Sequence, residues 1–132
     1  MSPRHQACTR DDARHRLADA RSMMVVADLV LTDDTIPGVA GALAVLAGIA
    51  ASDAACCAVL GRRHRGQNHR EALQLLETIE PAGLAMARDL RRLLGRKDDA
   101  HYGLGTLAAG EERKMVEWAH RLLDNAAAAL EA

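Results

Sequence analysis

The sequence predicts an all-α protein, a four- to five-helix up-and-down bundle, and three observations predict it. Ala, Leu and Arg dominate the 132 residues, and all three favour helix. Aromatic residues make up 2% of the chain, with one Trp, one Tyr and no Phe. That excludes a ring-rich β-sandwich and a single-strand binder built on stacked rings. Apolar residues recur at three- and four-residue spacings in several segments, and no alternating strand pattern is visible. The length suits one domain, residues 1–132, with residues 1–9 as a disordered or extended tail.

The first helix is expected from about Arg10 to Leu31. Leu17, Ala20, Met24, Ala27 and Leu31 form its core stripe, and Thr9 or an adjacent Asp caps it. Thr32-Asp33-Asp34-Thr35 is a polar break, and Pro37 suits the first turn of the next helix. That second helix runs from about Pro37 to Leu60 and is apolar on most faces. Gly41, Ala44 and Gly48 let another backbone approach it closely. A helix apolar all round must be covered all round, by its own bundle or by a partner chain.

No charged residue occurs between Thr35 and Ser52, so length alone would allow a membrane span. The segment is mostly Ala and Gly, Asp53 interrupts it, and no aromatic belt flanks it. A buried central helix is therefore expected, with no membrane partner. Asp53 needs an Arg or a backbone donor if it is buried.

Gly61-Arg62-Arg63-His64-Arg65-Gly66-Gln67-Asn68 reads as a basic loop bounded by glycines. Asn68 and Glu71 form a capping-box pattern for a third helix, His69 to about Ile79. Pro81 restarts a helix carrying Leu84, Ala87, Leu90, Leu93 and Leu94, which Gly95 is expected to close. After a loop over Arg96–Gly105, Thr106 can cap the last helix, which reaches about Leu130. Its stripe of Met115, Trp118, Ala119, Leu122, Leu123, Ala126 and Leu130 is the clearest in the chain.

Net charge is -1, so the protein is not a polyelectrolyte binder as a whole. Between Arg62 and Lys97, however, nine Lys or Arg stand against four Asp or Glu, which makes this third the expected face for an anion. The three cysteines form no C-x2-C pair, and adjacent Cys56 and Cys57 point in different directions on a helix. No disulfide framework is expected, and the composition reads as that of a reducing, cytoplasmic protein. The histidines show no metal-ligand spacing and no nucleotide-binding glycine loop follows a strand, so neither metal nor cofactor is expected.

The densest chemistry lies in Arg96-Lys97-Asp98-Asp99-Ala100-His101-Tyr102-Gly103. Arginine can clamp a phosphate through a planar fork of donors, and histidine can exchange a proton near neutrality. Asp98 and Asp99 can instead pair with Arg96 and Lys97 in a solvated turn. Arg63 and His69 repeat the Arg–His pattern at a spacing one residue longer, in a place where capping already explains the local geometry.

The order of these features resembles the HEPN domain of bacterial toxin–antitoxin and defence systems. The resemblance rests on Ser52-Asp53-Ala54-Ala55-Cys56-Cys57-Ala58-Val59-Leu60, Asn68-His69-Arg70-Glu71-Ala72-Leu73 and Leu90-Arg91-Arg92-Leu93-Leu94. It extends to Ala100-His101-Tyr102-Gly103 and Ala119-His120-Arg121-Leu122-Leu123-Asp124, and covers roughly Arg10 to Leu130.

It implies a dimerising helical bundle, and in catalytic members a metal-independent endoribonuclease carrying Arg, four to six residues, then His. Arg96 and His101 fit with four residues between. By that resemblance Arg96 binds the scissile phosphate and His101 is the general acid–base. Arg62, Arg63, Arg65, His69, Lys97 and Tyr102 would bind substrate. The implied partners are a second copy, RNA, and a nucleotidyltransferase antitoxin if the chain is the toxin of such a pair.

A second frame is open. Noncatalytic relatives read basic–x–x–Ala–Asp–Tyr, and Lys97-Asp98-Asp99-Ala100-His101-Tyr102 fits it with His in place of Asp. In that frame Lys97 is the family's basic residue, and the protein is a binding module for a partner protein, nucleic acid or nucleotide.

Overall fold

Thr9 opens the first helix as expected. Its hydroxyl accepts from the Asp12 N–H at 3.0 Å, and the Asp12 carboxylate accepts from the Thr9 N–H at 2.8 Å. This reciprocal capping box starts α1, Arg10–Val30. The computed structural model describes residues 4–33, 35–66, 68–101 and 109–132, with backbone alone for 97–101 and 109. The remaining elements are α2 (Val39–Leu60), α3 (His69–Glu77), α4 (Gly83–His101) and α5 (Ala109–Glu131). The fold is an all-α bundle.

The centre of the bundle is α2. Its small residues bring α1, α4 and α5 close on different sides. Ala40, Ala44, Ala47, Ala51, Ala54 and Ala55 are buried, against Leu90 and Leu93 from α4 and Met115, Ala119, Leu122 and Ala126 from α5. Gly48 shows how tight the approach is: a Cβ there would stand 2.7 Å from Leu93 Cδ1. By length and composition α2 could cross a membrane, but 61% of its most apolar stretch is buried inside the bundle, as a core helix requires. The expected stripe of α5 is the buried one, with Trp118 half-buried at its edge.

The ends of α2 are set by backbone. Gly38 and Gly61 flank it in the left-handed region, at φ 85° and 71°. No side chain of its own caps the start. Instead the buried Glu112 carboxylate of α5 accepts from the Gly41 N–H at 3.3 Å. Negative charge there meets the positive end of the helix dipole.

Four expectations need correction. First, α4 does not stop at Gly95 but runs on to His101, so Arg96 to His101 is helix rather than loop. A Cβ at Gly95 would meet nothing within 4 Å, so this glycine lies in open space. The helix tolerates it at about 1 kcal/mol because leucines on either side of α4 hold it to the core.

Second, two short strands exist. β1 (His5–Ala7) pairs antiparallel with β2 (Arg62–His64), placing His5 opposite His64 and Gln6 opposite Arg63. Three-residue strands are too short to leave an alternating pattern.

Third, Cys8 and Cys57 form a disulfide, with Cα atoms 5.3 Å apart across a sequence separation of 49. Only the packing of β1 beside the end of α2 brings them together; the Cys8 N–H donates to the Gly61 carbonyl at 3.0 Å. This bond removes the premise of unpaired cysteines on which a reducing compartment was expected. Cys56 stays a free, buried thiol, pushed up to about 12 by burial and then by the neighbouring Asp53 charge.

Fourth, the Asn68 cap is one-sided. Its side chain accepts from the Arg70 and Glu71 N–H groups at 3.0 and 3.3 Å. The Glu71 carboxylate turns instead toward His64.

Candidate functional site

The basic loop closes over a pocket. Gly66 reverses the chain at φ 134°, a conformation that only glycine adopts without strain. The turn is held by the Arg65 N–H, which donates to the Arg4 carbonyl at 2.6 Å, and by the β1–β2 pairing. Beneath it lies a cavity of about 250 Å³. Arg63 and His64 of β2, then Arg65 and Gly66, form its roof. His69 and Ala72 of α3 form one wall, and Arg16 of α1 another. Ile49, Ser52 and Asp53 of α2 and Leu90 and Leu94 of α4 close the inner side.

Asp53 is the electrostatic pivot. Its Oδ2 accepts from Arg16 Nη2 and Arg63 Nη1, each at 3.1 Å. The carboxylate is 14% exposed, so a partner was required, and two guanidiniums supply it. Gln6 Oε1 accepts from Arg63 Nη2 at 2.9 Å, which fixes the fork from the other side. Arg16 Nη1 leans toward Asp19 at 3.4 Å, while Arg16 Nε is buried with no acceptor. Two guanidiniums are thus fixed on one carboxylate oxygen, with Asp19 beside one of them.

His64 is the second unusual group. Its side chain is 6% exposed, and neither ring nitrogen has a hydrogen-bond partner. Nδ1 faces the Glu71 carboxylate at 3.7 Å, beyond hydrogen-bond reach, and the His5 ring packs edge-on against it. A buried imidazole with both nitrogens bare is costly unless something else enters to pair with it.

The expected site residues divide. Arg63, Arg65 and His69 come together on this pocket. Arg62 is on β2 but exposed and off the pocket. Arg96 is half-buried on α4, with Nη1 3.4 Å from the Glu111 carboxylate of α5. The side chains of Lys97 and His101, and all of Tyr102, lie outside the described residues. In the helical register of α4, positions 90, 94, 97 and 101 fall on one stripe, and position 96 lies roughly a third of a turn away. Leu90 and Leu94 on that stripe line the pocket.

Arg16 and His64 are the residues that sequence reasoning missed. Arg16 sits next to the core stripe of α1 and looks like any solvated flank. His64 looks like one more member of a basic run. Asp53 was the usable signal, because a carboxylate inside an apolar helix demands cations from elsewhere in the chain.

A second depression, of about 200 Å³, adjoins the first, and Arg16 and Arg63 line both. The Cys8–Cys57 disulfide lies in its wall. Among the described residues no group of three or more His, Cys, Asp or Glu is placed to hold a metal ion. No family model matches the chain, and no curated protein matches it.

Proposed function

We propose that the protein is a HEPN-type RNA-acting domain, a metal-independent endoribonuclease whose substrate phosphate sits in the pocket beneath the basic loop. One observation carries this reading: Arg16, Arg63, His64, Arg65 and His69, from three parts of the chain, converge on one cavity with Asp53 as the only acidic lining group among the described residues. Guanidiniums bind phosphate through paired donors, and imidazole is the side chain best placed to move a proton at neutral pH.

The register of α4 supports the same place for chemistry. Positions 97 and 101 continue, in helical register, the stripe whose leucines line the pocket, and both Arg96 and Lys97 stay open as the basic partner of His101. Attack by the ribose 2′-hydroxyl needs a base, an acid and a clamp on the scissile phosphate. His101 supplies proton transfer in this reading, and the Arg16–Arg63 pair supplies the clamp.

The second copy implied by the resemblance has apolar surface available to it: Val25, Val26 and Leu29 of α1 are all large, apolar and exposed.

Incubation of the protein with RNA in EDTA tests the reading. Cleavage by the parent chain, lost in His101→Ala and in Arg63→Ala, supports it; equal cleavage by parent and variants sinks it. A second reading, a noncatalytic module holding RNA or a nucleotidyltransferase, is favoured by the contact of Arg96 with Glu111. Binding without cleavage selects it.

A further inference from the structure

We infer that the Cys8–Cys57 bond is a redox clasp: a small dithiol entering the depression beside it reduces the bond, frees β1 and opens the roof of the neighbouring pocket while the helices stay folded. The clasp stands apart from the RNA reading, because it concerns only what holds the roof in place.

Little besides this bond holds β1. The strand has three residues, all exposed, and pairs with one three-residue neighbour. A two-stranded ladder of that size does not persist by itself in water. The remaining ties are single hydrogen bonds, from the Cys8 N–H to the Gly61 carbonyl, from the Arg65 N–H to the Arg4 carbonyl and from Arg63 to Gln6. Among the described residues the hydrophobic core is built from the helices and Ile79, with nothing from β1. The link to Cys57, in the last turn of α2, therefore keeps the strand at high effective concentration beside β2 without being part of what packs the bundle.

The same short segment braces the roof. Gln6 Oε1 accepts from Arg63 Nη2, the Arg4 carbonyl accepts from the Arg65 N–H, and the His5 ring lies edge-on to His64. Losing β1 removes all three at once. Arg63 then keeps only Asp53, and the His64 ring, now 6% exposed, meets solvent.

The bond is also within reach. Both cysteines line the depression of about 200 Å³, Cys8 being half-buried and Cys57 only 2% exposed. Attack therefore falls on Cys8. A thiolate of the dithiol bonds to Cys8 Sγ, the Cys8–Cys57 bond breaks, and Cys57 leaves as a thiolate that takes up a proton. The second thiol of the reagent then displaces Cys8, closing the reagent into its own disulfide. Two electrons and two protons pass to the protein. Cys56 takes no part, because burial keeps that thiol protonated.

Hydrogen exchange read by mass spectrometry tests the clasp on three samples: the oxidised protein, the same protein in dithiothreitol, and Cys8→Ser. Amides of residues 62–66 are expected to exchange about ten-fold faster or more in the last two, while those of residues 115–126 on α5 stay within about two-fold. Diethyl pyrocarbonate should modify His64 about ten-fold faster in Cys8→Ser, without reductant, than in the oxidised parent, the loss of burial being the cause. Equal protection of residues 62–66 in all three samples would overturn the clasp. Loss of protection along residues 115–126 together with 62–66 would also overturn it, making the bond a staple of the whole fold. A Cys8–Cys57 bond that survives dithiothreitol in the folded protein would overturn its accessibility and the proposal with it.

Discussion

Arg16 of α1 reaches Asp53 of α2 at 3.1 Å across 37 positions of sequence. The contact joins the start of the first helix to the central helix and aims a guanidinium at the pocket. Arg63 meets the same carboxylate oxygen at the same distance. Asp53 therefore positions both guanidiniums, which without it would keep only Asp19 and Gln6 as partners.

Replacing Asp53 by Ala is expected to lower stability by about 2 kcal/mol, since charged hydrogen bonds in a partly buried setting are lost together. Arg16→Ala and Asp53→Ala combined should cost less than the sum of the two, with a coupling near 1 kcal/mol. Urea unfolding of the two single variants and the double variant measures this. Strict additivity would show that the contact carries no energy.

Gly83→Ala is expected to destabilise, although alanine is the better helix former by about 1 kcal/mol. A Cβ at Gly83 would lie 2.6 Å from the Leu76 carbonyl oxygen, a backbone atom that cannot simply rotate away. The overpacking cost, about 1–3 kcal/mol, exceeds the propensity gain. A lowered thermal midpoint checks it; a raised one would mean that the α3–α4 joint yields freely.

Leu122→Ala removes a fully buried side chain that packs beside Gly48 and is expected to cost about 3 kcal/mol. The same substitution at exposed Leu84 should cost under about 0.5 kcal/mol. Denaturant midpoints of the two variants give the comparison.

Of the three cysteines, denatured but unreduced protein should expose one reactive thiol, Cys56, and reduced protein three. The folded protein should react slowly even at Cys56, since burial keeps that thiol protonated at neutral pH. Cys8→Ser is expected to cost up to about 4 kcal/mol, the loop-closure value for a link spanning 49 positions. Mass spectrometry after alkylation counts the thiols, and thermal unfolding with and without reductant gives the stability.

Acid should weaken the α1 cap. Hydrogen bonds from the Thr9 backbone and hydroxyl hold the Asp12 carboxyl below its ordinary value of 3.8. Its folded value is depressed, so the stabilisation is complete above 3.8 and fades as pH falls through the lower folded value. Asp12→Asn should therefore differ from the parent in urea midpoint at neutral pH and converge with it in strong acid. A difference independent of pH would remove the charge from the explanation.

The helices were legible where periodicity is strong. The Met115, Ala119, Leu122 and Ala126 stripe and the Thr9 cap stand in the structure as they read in the chain. The run past Gly95 was not legible, because glycine marks a helix end only when it adopts positive φ, and Gly95 does not. The Cys8–Cys57 bond was illegible for a different reason. No spacing rule links two cysteines whose approach depends on a strand pairing 55 or more positions away in sequence.

The site was half legible. Arg63, Arg65 and His69 stood out as a basic cluster, but their convergence with Arg16 and His64 depends on tertiary packing. Arg96, singled out by the resemblance, lies on α4 beside Glu111 and away from this lining.

The pocket itself is tested most directly by NMR titration of the labelled protein with an oligoribonucleotide, read at arginine Nε and histidine ring resonances. Binding at this site predicts that Arg16, Arg63, His64 and His69 shift first and together. Shifts confined to other arginines, such as Arg113 or Arg121 on α5, with these four unmoved, would contradict it.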